Sequence, residues 1–181
     1  MFFLRKWTLE RLPVAMSGVR MGERVLQIGV DDPSLVGAIA AKVGLSGHAA
    51  IAVADERQAA RARAGAAAAG ALADIQTTTR AALPFDDEAF DVVVLHAAGV
   101  AHALADEPGT ALLGDSRRVL RTGGRIVVIE GRGRGLFGRV RAAGPSPSEP
   151  GAALKALAAA GFKAARLLAE REGYRFFEAV K

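Results

Sequence analysis

The chain has 181 residues, a length that fits one domain with a continuous buried core and is short for two. It has no cysteine, which excludes disulfides, thiolate metal sites and a cysteine nucleophile and makes a reducing, cytoplasmic setting the expectation. Lys and Arg number 24 against 19 Asp and Glu, a net charge of +5 that favours anionic partners wherever the arginines cluster.

In chain order, the opening MFFLRKWTLERLP has charges inside its apolar stretch and no small-residue cleavage site, which argues against a secretory leader. Residues 5 to 18 read as an amphipathic helix within an N-terminal helical stretch, residues 1–20. RVLQIG (24–29) is an apolar run closed by glycine, the mark of a buried strand. A helix over 33–44 follows, with Asp32 as N-cap, Pro33 at its first position and Gly44 at its end. Next come the strand AAIAVA (49–54), an Ala-rich helix over about 56–69, a weaker strand ADIQTTT (73–79) and the strand FDVVVLH (90–96). A helix over roughly 108–120 leads through the turn RTGG (121–124) into the strand RIVVIEG (125–131). Such alternation makes βα units and a mainly parallel sheet.

The remainder differs. Residues 131–148 are rich in Gly, Arg, Pro and Ser and read as a flexible insertion. A helix over 149–161 then leads to two strands, 163–170 and 174–181, with three residues between them. No crossover helix fits in three residues, so these strands must form an antiparallel hairpin. The expected fold class is α/β: five parallel strands, a terminal antiparallel hairpin, and helices on both faces.

LPFDDEAFDVVV (83–94), RRVLRTGGRIVVIE (117–130) and the closing AGFKAARLLAEREGYRFFEAVK, in this order of elements, resemble the class I S-adenosylmethionine-dependent methyltransferases. The similarity is to the small-molecule, methyltransferase type 11-like kind that includes quinone-biosynthesis enzymes, and it covers residues 22–181. It implies a Rossmann-like, seven-stranded sheet in a single domain, S-adenosylmethionine as cofactor, and methyl transfer to a small-molecule acceptor.

The family's cofactor loop alternates an acidic residue with three glycines. In this chain Gln27 stands at the acidic position, Gly29 is kept, and Asp31 and Pro33 occupy the later glycine positions, with Val30 between. The resemblance therefore implies that Gln27, Gly29, Val30 and Asp31 form the cofactor loop. A dinucleotide would bring its pyrophosphate against Asp31 and Asp32, which repel it, whereas the sulfonium and ammonium of S-adenosylmethionine suit a nearby carboxylate. The plain alternative makes Asp32 an ordinary N-cap and Asp31 a turn residue.

The resemblance further implies that Asp55, with Glu56 beside it, grips the ribose hydroxyls at the end of the second strand; an N-cap at Asp55 is compatible with that role. Thr79, followed by Arg80, stands where the family contacts adenine, and Leu83, Pro84 and Phe85 would shape that edge. Phe90 reads as core. His96 ends the fourth strand and His102 lies beyond it, at the carboxyl edge where open α/β sheets bind ligands. His96 is thus a cofactor contact and the candidate catalytic base, or else a strand-end residue with an ordinary hydrogen bond. Methyl transfer needs chiefly in-line positioning, so a base is not obligatory. His48, His96 and His102 are too separated in sequence to form a metal set, and Asp86 and Asp87 read as solvated turn residues.

Two further expectations concern partners. Arg132, Arg134, Arg139 and Arg141, interleaved with Leu136, Phe137 and Val140, suit a lid over an anionic acceptor, a membrane-surface patch, or a plain connection, which is the default. Phe2, Phe3, Leu4 and Trp7 near Arg5, Lys6 and Arg11 would extend the membrane version, while packing of that helix over the cofactor cleft is the preferred reading. Nothing points to nucleic acid. A divergent, non-catalytic binding or scaffold protein is the second reading of the chain, and a dinucleotide enzyme the third.

Overall fold

The computed structural model describes residues 11–78, 82–97, 104, 106–131 and 150–181. The readings placed on residues 1–10, on Thr79 and Arg80, on His102 and on the arginine-rich stretch 132–149 lie outside the described residues.

Twelve elements follow one another among those residues: α1 (Leu12–Met16), β1 (Arg24–Ile28), α2 (Pro33–Lys42), β2 (His48–Val53), α3 (Glu56–Ala68), β3 (Asp74–Thr77), β4 (Phe90–His96), α4 (Glu107–Val119), β5 (Leu120–Gly131), α5 (Pro150–Ala159), β6 (Lys163–Arg171) and β7 (Tyr174–Val180). The seven strands form one sheet in the order β3-β2-β1-β4-β5-β7-β6. The first five are mutually parallel, and β7 runs antiparallel to both β5 and β6. The expected closing hairpin turns through Glu172 and Gly173, at φ 55° and 79°, so two left-handed residues make the tight turn that matches strand twist.

The central strands are apolar on both sides because both faces are covered. Val25, Val92, Val94, Val127 and Ile129 pack with Leu35 and Ile39 of α2 and with its C-cap Val43, and Ile51 and Val53 with Ala59 and Ala62 of α3. On the opposite face Leu26, Val93, Leu95, Ile126 and Val128 meet Leu113 and Val119 of α4 and Ala153, Ala156 and Leu157 of α5. Each buried Val, Leu or Ile among them contributes roughly 1.5–3 kcal/mol. Phe90 is core, 2 % exposed, with Phe85 edge-on to it at 5.1 Å.

Two boundaries and one side chain differ from expectation. α1 stops at Met16, where Ser17 caps it and Gly18 turns the chain at φ 62°. β5 begins at Leu120, so the RTGG segment is no separate turn; the ladder skips from Phe90↔Leu120 to Val92↔Arg125, and Gly123 at φ 74° absorbs the irregularity. Asp87 is not merely solvated, because it pairs with Arg118 at 2.7 Å.

The crossing of α2 and α3 is unusually close. A Cβ on Gly37 would lie 2.1 Å from the Gly65 carbonyl oxygen, and one on Gly65 would lie 2.0 Å from that of Pro33. Two glycines let the helix backbones touch, which fixes how near α3 comes to the loop after β1.

Candidate active site

β1 ends at Ile28 and the chain must leave the sheet at once, because α2 packs back on its face. Gly29 makes that turn at φ 84°, a conformation strained for any residue with a side chain, and its N–H donates to the Ala52 carbonyl at 2.9 Å. A Cβ there would also press on the His96 carbonyl oxygen at 3.3 Å. Asp32 then caps α2, its Oδ1 accepting from the Ser34 and Leu35 N–H groups at 2.9 and 3.2 Å. Its Oδ2 accepts from Arg11 at 2.6 Å. Burial alone would raise the Asp32 carboxyl, but the bonds from Arg11, Ser34 and Leu35 outweigh it and hold the pKa at about 2. Asp32 is therefore committed to the helix and to Arg11.

The loop opens onto a cleft of about 410 Å³ at the carboxyl ends of β1, β2 and β4. Its position straddles β1 and β4, where the strand order reverses, the place at which open α/β sheets hold ligands. Ile28, Gly29, Val30 and Asp31 form one wall, Gln58 and Arg61 of α3 a second, and Leu83, Leu104 and Leu112 an apolar third; His96 and Ala97 lie at the end of β4. Asp106, at the start of α4, adds a carboxylate. A larger depression of about 630 Å³ lies at the opposite, amino ends of β2 and β3, near the exposed Leu45 and Leu72. We assign the site to the smaller cleft because strand ends, helix starts and convergent polar groups meet there.

His96 is 8 % exposed and lines the cleft. Burial disfavours the charged imidazolium and pushes its pKa down to about 4 against the smaller opposing pull of the Asp32 charge. Its Nε2 lies 3.0 Å from Gln27 Oε1, and Gln27 Nε2 donates to the Val36 carbonyl of α2 at 2.9 Å.

Of the residues singled out in the sequence, Gly29, Val30, Asp31 and His96 come together around this cleft. Gln27 does not line it; fully buried, it sits behind His96. Asp55 caps α3, its Oδ1 accepting from the Gln58 N–H at 2.8 Å, and Glu56 points to an exposed pair with Arg63. Neither lines the cleft, although Asp55 holds the turn that presents Gln58 to it. Leu83 lines the wall, whereas Phe85 packs inward on Phe90.

Sequence reasoning missed two features. Arg61 enters the cleft and donates to the Asp31 carbonyl at 2.8 Å; nothing in the Ala/Arg repeat of α3 distinguishes it from Arg57 or Arg63. The Leu83–Phe85 segment is gripped from α4. Asp115 accepts from the Leu83 N–H at 2.5 Å, and Arg118 donates to the Leu83 and Phe85 carbonyls at 3.1 and 2.8 Å while paired with Asp115 and Asp87. The bonds to the Asp115 carboxylate, first, and to that of Asp87 raise the Arg118 pKa above its ordinary value. Asp115 and Arg118 stand three apart on one helix, a spacing that places both on one face and was legible as an ion pair.

Against known proteins, the methyltransferase domain family matches residues 34–128. Among solved structures, a SAM-dependent methyltransferase from Aquifex aeolicus is 18 % identical, with 92 % of this chain and 86 % of that one covered and a TM-score of 0.75. The cyclase SpnF is 19 % identical over 94 % and 78 % of the two chains, with a TM-score of 0.66. PigF with SAH is 18 % identical over 93 % and 54 %, with a TM-score of 0.65. At these identities the likenesses establish the fold. The comparison with curated proteins found no match.

Proposed function

We propose that this chain, which belongs to the methyltransferase domain family, moves a methyl group from S-adenosylmethionine, bound in the carboxyl-edge cleft, to a small-molecule acceptor. The observation that carries the reading is Gly29. It turns the chain at φ 84° on the cleft wall and leaves a wall without a side chain where β1 meets β4. The cleft's about 410 Å³ is within the range of about 300–1,000 Å³ that small-ligand sites occupy.

The residues present fit the cofactor. Leu83, Leu104 and Leu112 offer an apolar wall for a flat heterocycle, and Asp31 and Asp106 offer carboxylates to a ligand whose charges include a sulfonium and an ammonium. A dinucleotide would set its pyrophosphate against those same carboxylates. S-adenosylmethionine, when bound, supplies an electrophilic methyl on sulfur, so the protein's task is positioning and exclusion of water. Val30, Asp31 and Arg61 would hold the donor, and Asp55, outside the cleft but next to its lining residue Ala54, is the proposed ribose acceptor at the rim through its second carboxylate oxygen. His96 is neutral near pH 7 and so has a lone pair for a hydrogen-bond donor.

A second reading, a binding or scaffold protein on the same fold, draws on Gln27, which is bonded to His96 and Val36 rather than turned to the cleft. Titration calorimetry with S-adenosylhomocysteine separates the two. Binding that Gly29→Val abolishes, with the circular dichroism of the sheet retained, supports the transferase reading. A silent titration at millimolar ligand refutes it, and the same titration with NAD tests the dinucleotide alternative.

A further inference from the structure

Gln27 stands at the loop position where the resemblance implied a cofactor contact, yet its amide is fully buried and both its ends are used. The two ends are chemically distinct, so their partners fix more than the position of a side chain. The Val36 carbonyl can only accept, so the end of Gln27 that meets it must be the NH2 group. The carbonyl end, Oε1, is thereby turned toward His96 Nε2 at 3.0 Å. An amide oxygen only accepts, so His96 must carry its proton on Nε2. In a neutral imidazole the other nitrogen, Nδ1, is then a bare lone pair.

We propose that Gln27 is a positioning residue that locks His96 in the Nε2–H tautomer, so that Nδ1 serves as a hydrogen-bond acceptor for an N–H or O–H donor of the ligand held in the cleft. The inference rests on the cofactor reading for the identity of that ligand and on geometry alone for the tautomer. His96 lines the cleft, and Gln27 is the one described residue that meets a ring nitrogen. The ring remains neutral near pH 7 because burial disfavours its charged form. A neutral acceptor is suited to an ammonium, an amine or a hydroxyl, and it would reject a carboxylate or phosphate at the same spot.

The test is nitrogen NMR of ¹⁵N-histidine-labelled protein near pH 7, His96 being assigned through the His96→Asn variant. In the unliganded wild type the expected result is one N–H-type signal at Nε2 and one bare-nitrogen signal at Nδ1. Gln27→Glu loses the donor to the Val36 carbonyl, sets a carboxylate beside Nε2 and shifts the ring toward the doubly protonated form, with both nitrogens N–H-type, whereas Gln27→Leu collapses the pattern to an exchange-averaged pair and weakens S-adenosylhomocysteine by roughly ten- to hundredfold. Saturation with S-adenosylhomocysteine shifts the Nδ1 signal. 5′-Methylthioadenosine, which lacks the amino-acid arm, then identifies the donor: an unmoved Nδ1 signal assigns the ammonium, and a moved one assigns the nucleoside. An Nδ1–H tautomer in the wild type, or an Nδ1 signal unmoved by calorimetrically saturating S-adenosylhomocysteine, overturns the inference. Failure of S-adenosylhomocysteine to bind at all refutes the functional reading and the ligand half of this one, and the unliganded tautomer then decides the positioning role by itself.

Discussion

Lowering the pH from 7 to 5 should destabilise this protein through the buried His96. In the unfolded chain its imidazole takes up a proton near 6.5, while burial in the fold pushes that uptake down to about 4. Between those values the unfolded state binds more protons than the folded one, so stability is fully present above about 6.5 and falls as the pH drops. The separation sets a ceiling of roughly 3 kcal/mol, of which roughly 2 kcal/mol is lost between pH 7 and pH 5. Asp32 does not share this window: its folded pKa of about 2 lies below the ordinary 3.8, so its contribution is lost only at more acid pH. More than a third exposed, it is also discounted by solvent screening. Urea midpoints of wild type and His96→Asn at pH 7, 6 and 5 measure the difference directly, with a constant m confirming that the unfolded reference is unchanged. A wild-type curve parallel to that of His96→Asn across this range would refute the reasoning.

Gly65→Ala and Gly114→Ala, each inside a helix, should have opposite effects. Gly114 has open space where a Cβ would go and gains up to about 1 kcal/mol, whereas Gly65 meets the Pro33 carbonyl at 2.0 Å and loses about 1–3 kcal/mol to overpacking; thermal melts of the two variants show it. Glu130 and Arg175, paired at 2.6 Å and nearly buried, should cost about 3–5 kcal/mol when Arg175→Leu strands the carboxylate, and little when Glu130→Leu accompanies it, as a urea double-mutant cycle would report. Arg118→Met releases the Leu83 and Phe85 carbonyls and should weaken S-adenosylhomocysteine by calorimetry more than it lowers the melting temperature in proportion. Asp55→Ala should weaken that ligand by about 1–3 kcal/mol and Glu56→Ala by less, the reverse order placing the ribose grip one residue on, at Glu56.

The fold was legible because its signals are local and repeated. Asp32, Pro33 and Gly44 bracket α2 where sequence placed it, and the three residues between 170 and 174 left the closing strands no topology but a hairpin. The start of β5 was misread because Gly123 and Gly124 signal a turn, and pairing of Leu120 with Phe90 draws the segment before them into the sheet. Half of the site was legible for the same reason: Gly29 needs its conformation whatever surrounds it. Gln27 was misplaced because alternation along a strand tells which face a side chain takes, not whether a ligand or His96 waits there. Arg61 was invisible because its role depends on how closely α3 approaches α2.

That closeness explains how a loop with one of its three expected glycines still borders an open cleft. Glycines in such a loop normally let backbone and ligand approach. In this chain Asp31 and Pro33 replace two of them, and the glycines that govern the approach stand instead at the helix crossing, as Gly37 and Gly65. Their contact lets α3 press on α2 at Pro33 itself, which carries Arg61 within 2.8 Å of the Asp31 carbonyl. The loop is therefore held from outside by Arg61 and Arg11, through Asp31 and Asp32, rather than being left free to mould itself to a ligand. A wall fixed in this way binds with little ordering cost a ligand that matches it and has no means of adapting to one that does not. Selectivity at this edge would then rest on rigid placement of Asp31 and His96, with Arg61 securing the loop through the Asp31 carbonyl and Arg11 through its ion pair with Asp32.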